Sequence, residues 1–150
     1  MYNSIRRKLI LAAGAAALAS LTTPPVIAAD PIIIGIPAAQ SGPVGVADHQ
    51  DWTNGATMAI EDINAAGGVL GRQLEAKIID LDMMTPEGNV AGIQTLIEGG
   101  AHAIASAFTI IPQPAMDTAA PSGIPYVHGN TSSVNVDLYQ GDKEKYRNIF

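Results

Sequence analysis

The chain has 150 residues, 47% of them hydrophobic, and no cysteine. A disulfide, a thiolate metal site and a lipid-modified N-terminal cysteine are therefore excluded. Past residue 29, five basic residues (Arg72, Lys77, Lys143, Lys145, Arg147) stand against all fourteen acids, a net charge of −9, which argues against a nucleic-acid backbone as partner.

The other three basic residues, Arg6, Arg7 and Lys8, precede an apolar, alanine-rich run over residues 9–21. That run is short for a bilayer span. Small residues at Ala28 and Ala29 complete the pattern of a secretory signal peptide over residues 1–29. An N-terminal membrane anchor is the alternative reading, and "IRRKLI" also permits the twin-arginine export route. The fold then occupies residues 30–150.

"PIIIGIPA" reads as a strand buried on both faces, with Pro37 marking its end because proline cannot donate to a ladder. "AQSGPVGVADHQ" reads as a loop. From Trp52, apolar residues recur at Ala56, Ala59, Ile60 and Ile63, the spacing of a helix that packs Trp52 into the core. Gly67 suits the position just past the end of that helix. "GVLGRQ" turns the chain into a second strand, "LEAKIIDL".

Thr85 can cap the next helix with Pro86 at its first position. Val90, Ile93, Leu96 and Ile97 form its apolar face, and Gly99-Gly100 ends it. "AHAIASAF" is a third strand. A short helix from Pro112 to about Ala120 carries its prolines in the first turn, and "IPYVHG" is a fourth strand. Beyond Thr131 the periodicity fades, "KEKYR" reads as a solvated segment, and "NIF" looks like the start of another strand. Strands alternating with helices predict an α/β fold, a doubly wound parallel sheet with helices on both faces.

The cluster Gly67, Gly68 and Gly71 follows a helix and precedes a strand. A phosphate-binding glycine loop needs the reverse order, so that helix N-terminal amides face the anion. The cluster therefore turns the chain at the end of the sheet away from a ligand and binds nothing. After the first strand, "SGPVG" replaces the glycine pattern of a nucleotide site, and Pro43 removes an amide a phosphate would need. The same loop lacks the elbow of a serine hydrolase. Asp80 and Asp82 share a face of their strand and read as a charged strand end, not a metal or acid–base pair. Met83 and Met84 read as gap fillers.

In an open parallel sheet, ligands lie outside the carboxyl ends of the strands. Residues 40–50, 82–85, 108–111 and 129–133 meet there. Thr109, ahead of the third helix, can hold a carboxylate through its hydroxyl and nearby amides. Thr131 adds a second hydroxyl, and both hydroxyls are expected to face solvent. Gly129 exposes backbone for close approach, and Asn130 lies between Gly129 and Thr131. An ordinary helix cap for Thr109 and a turn residue for Thr131 are the simpler alternatives.

"AIEDINAAGGVLGRQLE" resembles the Leu/Ile/Val-binding proteins, the type I periplasmic solute-binding proteins of ABC importers. The resemblance continues in "IGIPAAQSGPVG" before it and in "IIDLD", "TPEGNV" and "GIPYVHGNTSS" after it, covering residues 31–133. It implies a two-lobed, non-catalytic protein without a cofactor or metal. Such a protein closes on a small solute, a branched-chain or related amino acid or an amide, and delivers it from the periplasm to a membrane ABC permease. Residues 30–150 would then form part of the first lobe, with the second lobe absent. A periplasmic sensing domain on the same fold is the other role the resemblance allows.

Carried over residue by residue, the resemblance implies that Thr109 helps hold the ligand's carboxylate and ammonium, together with Gly129 and Thr131. Ile110 and Ile111 stand where relatives often have further hydroxyls, which favours a less polar ligand. Val46, Ala47, Asp48 and His49 fall in the loop that meets the ligand's variable group. The match slips by a residue there, and His49 reads more simply as a solvated loop histidine.

Overall fold

The computed structural model describes residues 29–130 and 132–150, so the signal-peptide reading and Thr131 lie outside the described residues. Four strands, β1 (Ile32–Ala38), β2 (Leu74–Asp80), β3 (Ala103–Ser106) and β4 (Tyr126–His128), form a parallel sheet in the order β2-β1-β3-β4. They alternate with α1 (Val46–Ala65), α2 (Pro86–Glu98) and α3 (Pro112–Ala119), and α4 (Ser133–Gly141) follows β4. The chain moves one way from β1 to β2 and the other way from β2 to β3. Right-handed crossovers therefore put α1 on one face and α2 and α3 on the other.

The α2/α3 face holds the main core. Ile93 and Leu96 of α2, Ala115, Met116 and Ala119 of α3, and Ile104 and Tyr126 of the sheet are all buried there. Asn89, not Val90, is the fully buried residue of the first turns of α2. Thr85 caps that helix as expected, its hydroxyl accepting from the Gly88 N–H at 3.1 Å, with Pro86 at the first position. On the opposite face α1 covers only part of the sheet. His49 and Thr53 are buried, Trp52, Ala56 and Ile60 are half-buried, and Ala59 and Ile63 are exposed.

Pro37 does not end β1. Ile32 and Ala38 hydrogen-bond toward β2, and Ile33 toward β3, so odd-numbered residues of β1 face β3. The missing amide of Pro37 thus falls on the β3 side, where the ladder already stops at the Gly35–Ile104 pair. The β2 ladder runs on to Ala38–Asp80. The sheet consequently parts between β1 and β3 at its carboxyl end.

The C-terminal segment departs from the reading twice. Residues 133–141 form α4, although its Val134 and Val136 are exposed and supply no apolar stripe. "KEKYR" is not wholly solvated: Tyr146 is buried in the core, its hydroxyl donates to Asp117 at 2.5 Å, and Lys145 pairs with the same carboxylate at 2.7 Å. The strand start at "NIF" is present, since Ile149 bridges Tyr126 in parallel.

The glycine cluster closes α1. Gly67 and Gly68 donate to the carbonyls of Asn64 and Ile63, the paired bonds of a Schellman motif with Gly67 at φ 104°. Val69 and Arg72 then exchange both backbone hydrogen bonds around Leu70-Gly71. Leu70 (φ 52°) and Gly71 (φ 77°) make this a two-residue turn of type I′. Leucine is a poor choice at its first position, and Leu70 is 96% exposed. Leu70→Asn is expected to stabilise the fold by about 1 kcal/mol and to raise Tm by roughly 2–6 °C. Thermal unfolding followed by circular dichroism checks it, and a lower Tm would contradict the turn assignment.

Candidate functional site

The order β2-β1-β3 reverses direction between β1 and β3, which is the switch point where open parallel sheets form a crevice. Here the parting caused by Pro37 widens that crevice. Helix α1 starts at Val46, earlier than expected, because Gly45 adopts the left-handed φ of 78° that lets the chain turn into the first helical residue. Asp48 sits in the first turn, where the helix dipole favours a carboxylate. Ala47 and Asp48 are thus exposed helix residues on the rim, not loop residues.

The earlier start buries His49, which is 1% exposed and not solvated. Its Nδ1 accepts from the Ala39 N–H at 2.9 Å, and its ring meets Phe108 edge-on at 4.9 Å between centroids. His49 therefore spans the ends of β1 and β3 where their ladder has stopped. Nε2 carries the proton and has no hydrogen-bond partner among the described residues. Burial pushes the His49 pKa down, outweighing the Phe108 backbone and the Asp48 charge, which push it up.

His128, at the end of β4, accepts from the Asn130 N–H at Nδ1 (3.3 Å), and burial lowers its pKa too. A histidine whose folded pKa lies below its unfolded value binds protons more readily when unfolded. Stability is then full above the ordinary value of 6.5 and is lost as pH falls from there toward the folded pKa. The Tm of the protein is expected to drop between pH 7.5 and 5, and the drop should shrink in His49→Gln and in His128→Gln. A Tm slope unchanged in the double variant would remove these two residues as the cause.

Thr109 lies at the end of β3 and is 6% exposed. Its hydroxyl does not face solvent, contrary to expectation. It lies 2.6 Å from Asn89 Oδ1 and 3.3 Å from the Met83 carbonyl oxygen. Its N–H donates to Asn130 Oδ1 at 3.2 Å. Thr109 and Asn130 are therefore brought together. Gly129 donates its amide to the carbonyls of Ser106 (3.1 Å) and Ala107 (2.5 Å), and a side chain there would run into the Ala107 backbone. Close approach is thus what Gly129 supplies, to the end of β3 and the residue after it.

Asp80 and Asp82 fix loops. Asp80 accepts from the Gln40 and Ser41 amides at 2.8 and 3.2 Å and from the Ser41 hydroxyl, and this bonding, the hydroxyl first, holds its pKa low. Asp82 accepts from the Met84 N–H and the Thr85 hydroxyl, both at 2.9 Å. Between these loops lies an open depression of about 600 Å³ walled by Ser41, Pro43, Val44, Leu81, Met83 and Met84 among others. It includes none of Thr109, Gly129 and Asn130. Both carboxylates of the depression are already occupied by these loop hydrogen bonds.

Asn89 and Asn135 are two of the buried polar residues that sequence reasoning passed over, with Ser106 and Asn148. Asn135, buried in the first turn of α4, has no partner for either side-chain polar atom among the described residues. Both look like ordinary helix polar residues, and only their burial distinguishes them.

The parallel sheet with a crevice at its switch point has the type I periplasmic-binding-protein fold. The family described as "Periplasmic binding protein" matches residues 31–150, and the chain belongs to it. It is 37% identical over 97 residues to the Leu/Ile/Val/Thr-binding protein of Salmonella typhimurium, covering 64% of this chain and 26% of that protein. It is 38% identical over 100 residues to the leucine-, isoleucine-, valine-, threonine- and alanine-binding protein of Pseudomonas aeruginosa, covering 65% of this chain and 26% of that one. Among solved structures, a protein of Silicibacter pomeroyi described as a branched-chain amino acid ABC transporter superposes with a TM-score of 0.76 at 31% identity, covering 81% of this chain and 31% of that chain. The isoleucine complex of the substrate-binding protein LivJ from Streptococcus pneumoniae shares the fold, with a TM-score of 0.67 at 23% identity over 80% of this chain and 33% of that chain. The chain thus spans about a quarter of the length of the curated relatives it matches.

Proposed function

We propose that the chain supplies part of the first lobe of an exported, non-catalytic solute-binding protein, which captures an aliphatic amino acid or an amide and hands it to a membrane ABC permease. Residues 1–29 act as the export signal to the periplasm, and residues 30–150 form the lobe. The observation that carries this reading is the crevice between β1 and β3, whose rim brings Thr109 and Asn130 together within hydrogen-bond distance. On this reading Gly129 contributes backbone, Thr131 a hydroxyl by its place in the sequence, and Ala47 and Asp48 contacts to the ligand's variable group. The names of the relatives support an amino acid as the solute.

The test begins with protein recovered from the periplasm and sequenced from its N-terminus, which should begin near Asp30. Calorimetric titration with L-leucine, L-threonine, acetamide and ATP follows. Binding of an amino acid or the amide is expected. Response to ATP alone would replace the solute-binding reading with a nucleotide-binding one.

A further inference from the structure

We infer that Asn64 guards the open edge of the sheet: its side chain holds the outward peptide groups of Leu74 and keeps β2 from pairing with β2 of a second copy of this chain. This goes beyond the solute-binding reading and does not depend on it. Strand β2 is the outer strand beside β1. Ile32 donates to the Gln73 carbonyl and Leu81 to the Ala38 carbonyl, so the odd-numbered residues of β2 turn their main-chain groups to β1. Those of Leu74, Ala76, Ile78 and Asp80 point outward. Asn64, in the last turn of α1, meets the first of them with both ends of its amide. The Leu74 N–H donates to Asn64 Oδ1 at 2.7 Å, and Asn64 Nδ2 donates to the Leu74 carbonyl at 2.8 Å. One donor and one acceptor set against the same residue are what a neighbouring antiparallel strand would supply. The outward groups of Ala76 and Ile78 have no partner among the described residues.

Such an edge is a template for another strand, and the residue pattern of β2 selects which one. In an antiparallel pair of two β2 strands centred on Ala76, Leu74 stands opposite Ile78 of the copy and Glu75 opposite Lys77 of the copy. Leu74, Ala76 and Ile78 then form the hydrogen-bonded pairs, because theirs are the outward groups. Leu74 and Ile78 lie on the α1 face, where Ile78 is 39% exposed. Glu75 and Lys77 lie on the α2 face. Glu75 is exposed there, and Lys77 spends one of its three donors on the Gly99 carbonyl at 3.1 Å. Apolar pairs and opposite-charge pairs thus fall into register together, each of a kind that stabilises a sheet. Moving the centre to Lys77 sets Lys77 against itself, and moving it to Ile78 sets Ala76 against Asp80. The Ala76-centred register is therefore the complementary one, and it needs both main-chain groups of Leu74. Those are the groups that Asn64 holds. With them taken, both Leu74–Ile78 pairs are lost and only Ala76 against Ala76 remains.

The test uses the full chain carrying Val127→Lys, which takes the exposed valine of β4 out of any association. In sedimentation, adding Asn64→Ala should lower the Kd of dimerisation at least about tenfold. Adding Glu75→Lys as well sets a lysine against Lys77 of the copy and should return the chain to monomer. Backbone hydrogen exchange gives a reading that needs no change at Asn64. In the Val127→Lys chain the Leu74 amide should exchange at least about tenfold more slowly than the Ala76 and Ile78 amides. In the Asn64→Ala dimer those two amides should become protected. The inference is overturned if Asn64→Ala leaves the chain as monomeric as before, or if the three amides exchange alike in its parent. It is overturned as well if Glu75→Lys leaves the association of Asn64→Ala unchanged, as sticking through loosened apolar surface would. None of these results bears on solute binding, which the leucine titration reads separately.

Discussion

Gly68→Ala should cost about 3–5 kcal/mol of folding stability, whereas Gly67→Ala, its neighbour, should cost only about 1–2 kcal/mol. Both glycines have positive φ, 104° at Gly67 and 77° at Gly68, and each would charge an alanine for that conformation. Their surroundings differ. A Cβ on Gly67 meets open space, while one on Gly68 runs into the Arg72 carbonyl. That carbonyl accepts from the Val69 N–H and so cannot step aside without opening the Val69–Arg72 turn. Arg72 in turn donates to the carbonyls of Asp30 and Pro31 at 2.7 and 3.1 Å, which ties the turn to the start of β1. Strain at Gly68 therefore spreads to the amino end of the interior strand β1. Against a total stability of about 5–15 kcal/mol, the difference is easily read from urea denaturation midpoints. Equal midpoints for the two variants would mean that the turn relaxes freely.

The same contrast separates what local sequence dictates from what packing decides. The Gly67 position follows from local rules, because a helix ending in Gly-Gly before an apolar run has few other solutions. The Thr85-Pro86 start of α2 is legible for the same reason. The parallel sheet follows from the alternation of strands and helices. His49 is different. Its burial depends on Gly45 turning the chain early and on Pro37 parting β1 from β3, and neither consequence is visible in a local pattern. Pro37 lacks a ladder hydrogen bond, but what matters is which neighbour that missing bond would face, and that is β3 and not β2. Helix α4 carries exposed valines, so its periodicity gives no signal. Thr109 stands out in the sequence by its place after β3, yet the direction of its hydroxyl is set by Asn89, twenty residues earlier on α2. Only packing brings the two together.

The largest effect expected of the 150-residue chain by itself concerns affinity. Its L-leucine Kd should be at least about 100-fold weaker than that of the Leu/Ile/Val/Thr-binding protein of Salmonella typhimurium, a loss of about 2.7 kcal/mol or more. Small-ligand sites bury most of the ligand's surface. A ligand held against the single open rim of this sheet would keep most of an aliphatic side chain in water. The sheet is also open. Val127 of β4 is 53% exposed, Phe150 is 66% exposed, and β2 is an edge strand carrying the exposed Ile78. Because Tyr126 and His128 turn into the α2/α3 side, Val127 lies on the α1 face, which α1 does not reach at β4. Apolar area of this kind and an unpaired edge both favour association. The chain should therefore sediment as oligomers at tens of micromolar, and Val127→Lys should shift it toward monomer without changing its weak leucine binding. A monomeric wild-type chain whose leucine affinity matches that of the Salmonella protein would show that one wall is enough, and that the uncovered face has no thermodynamic consequence.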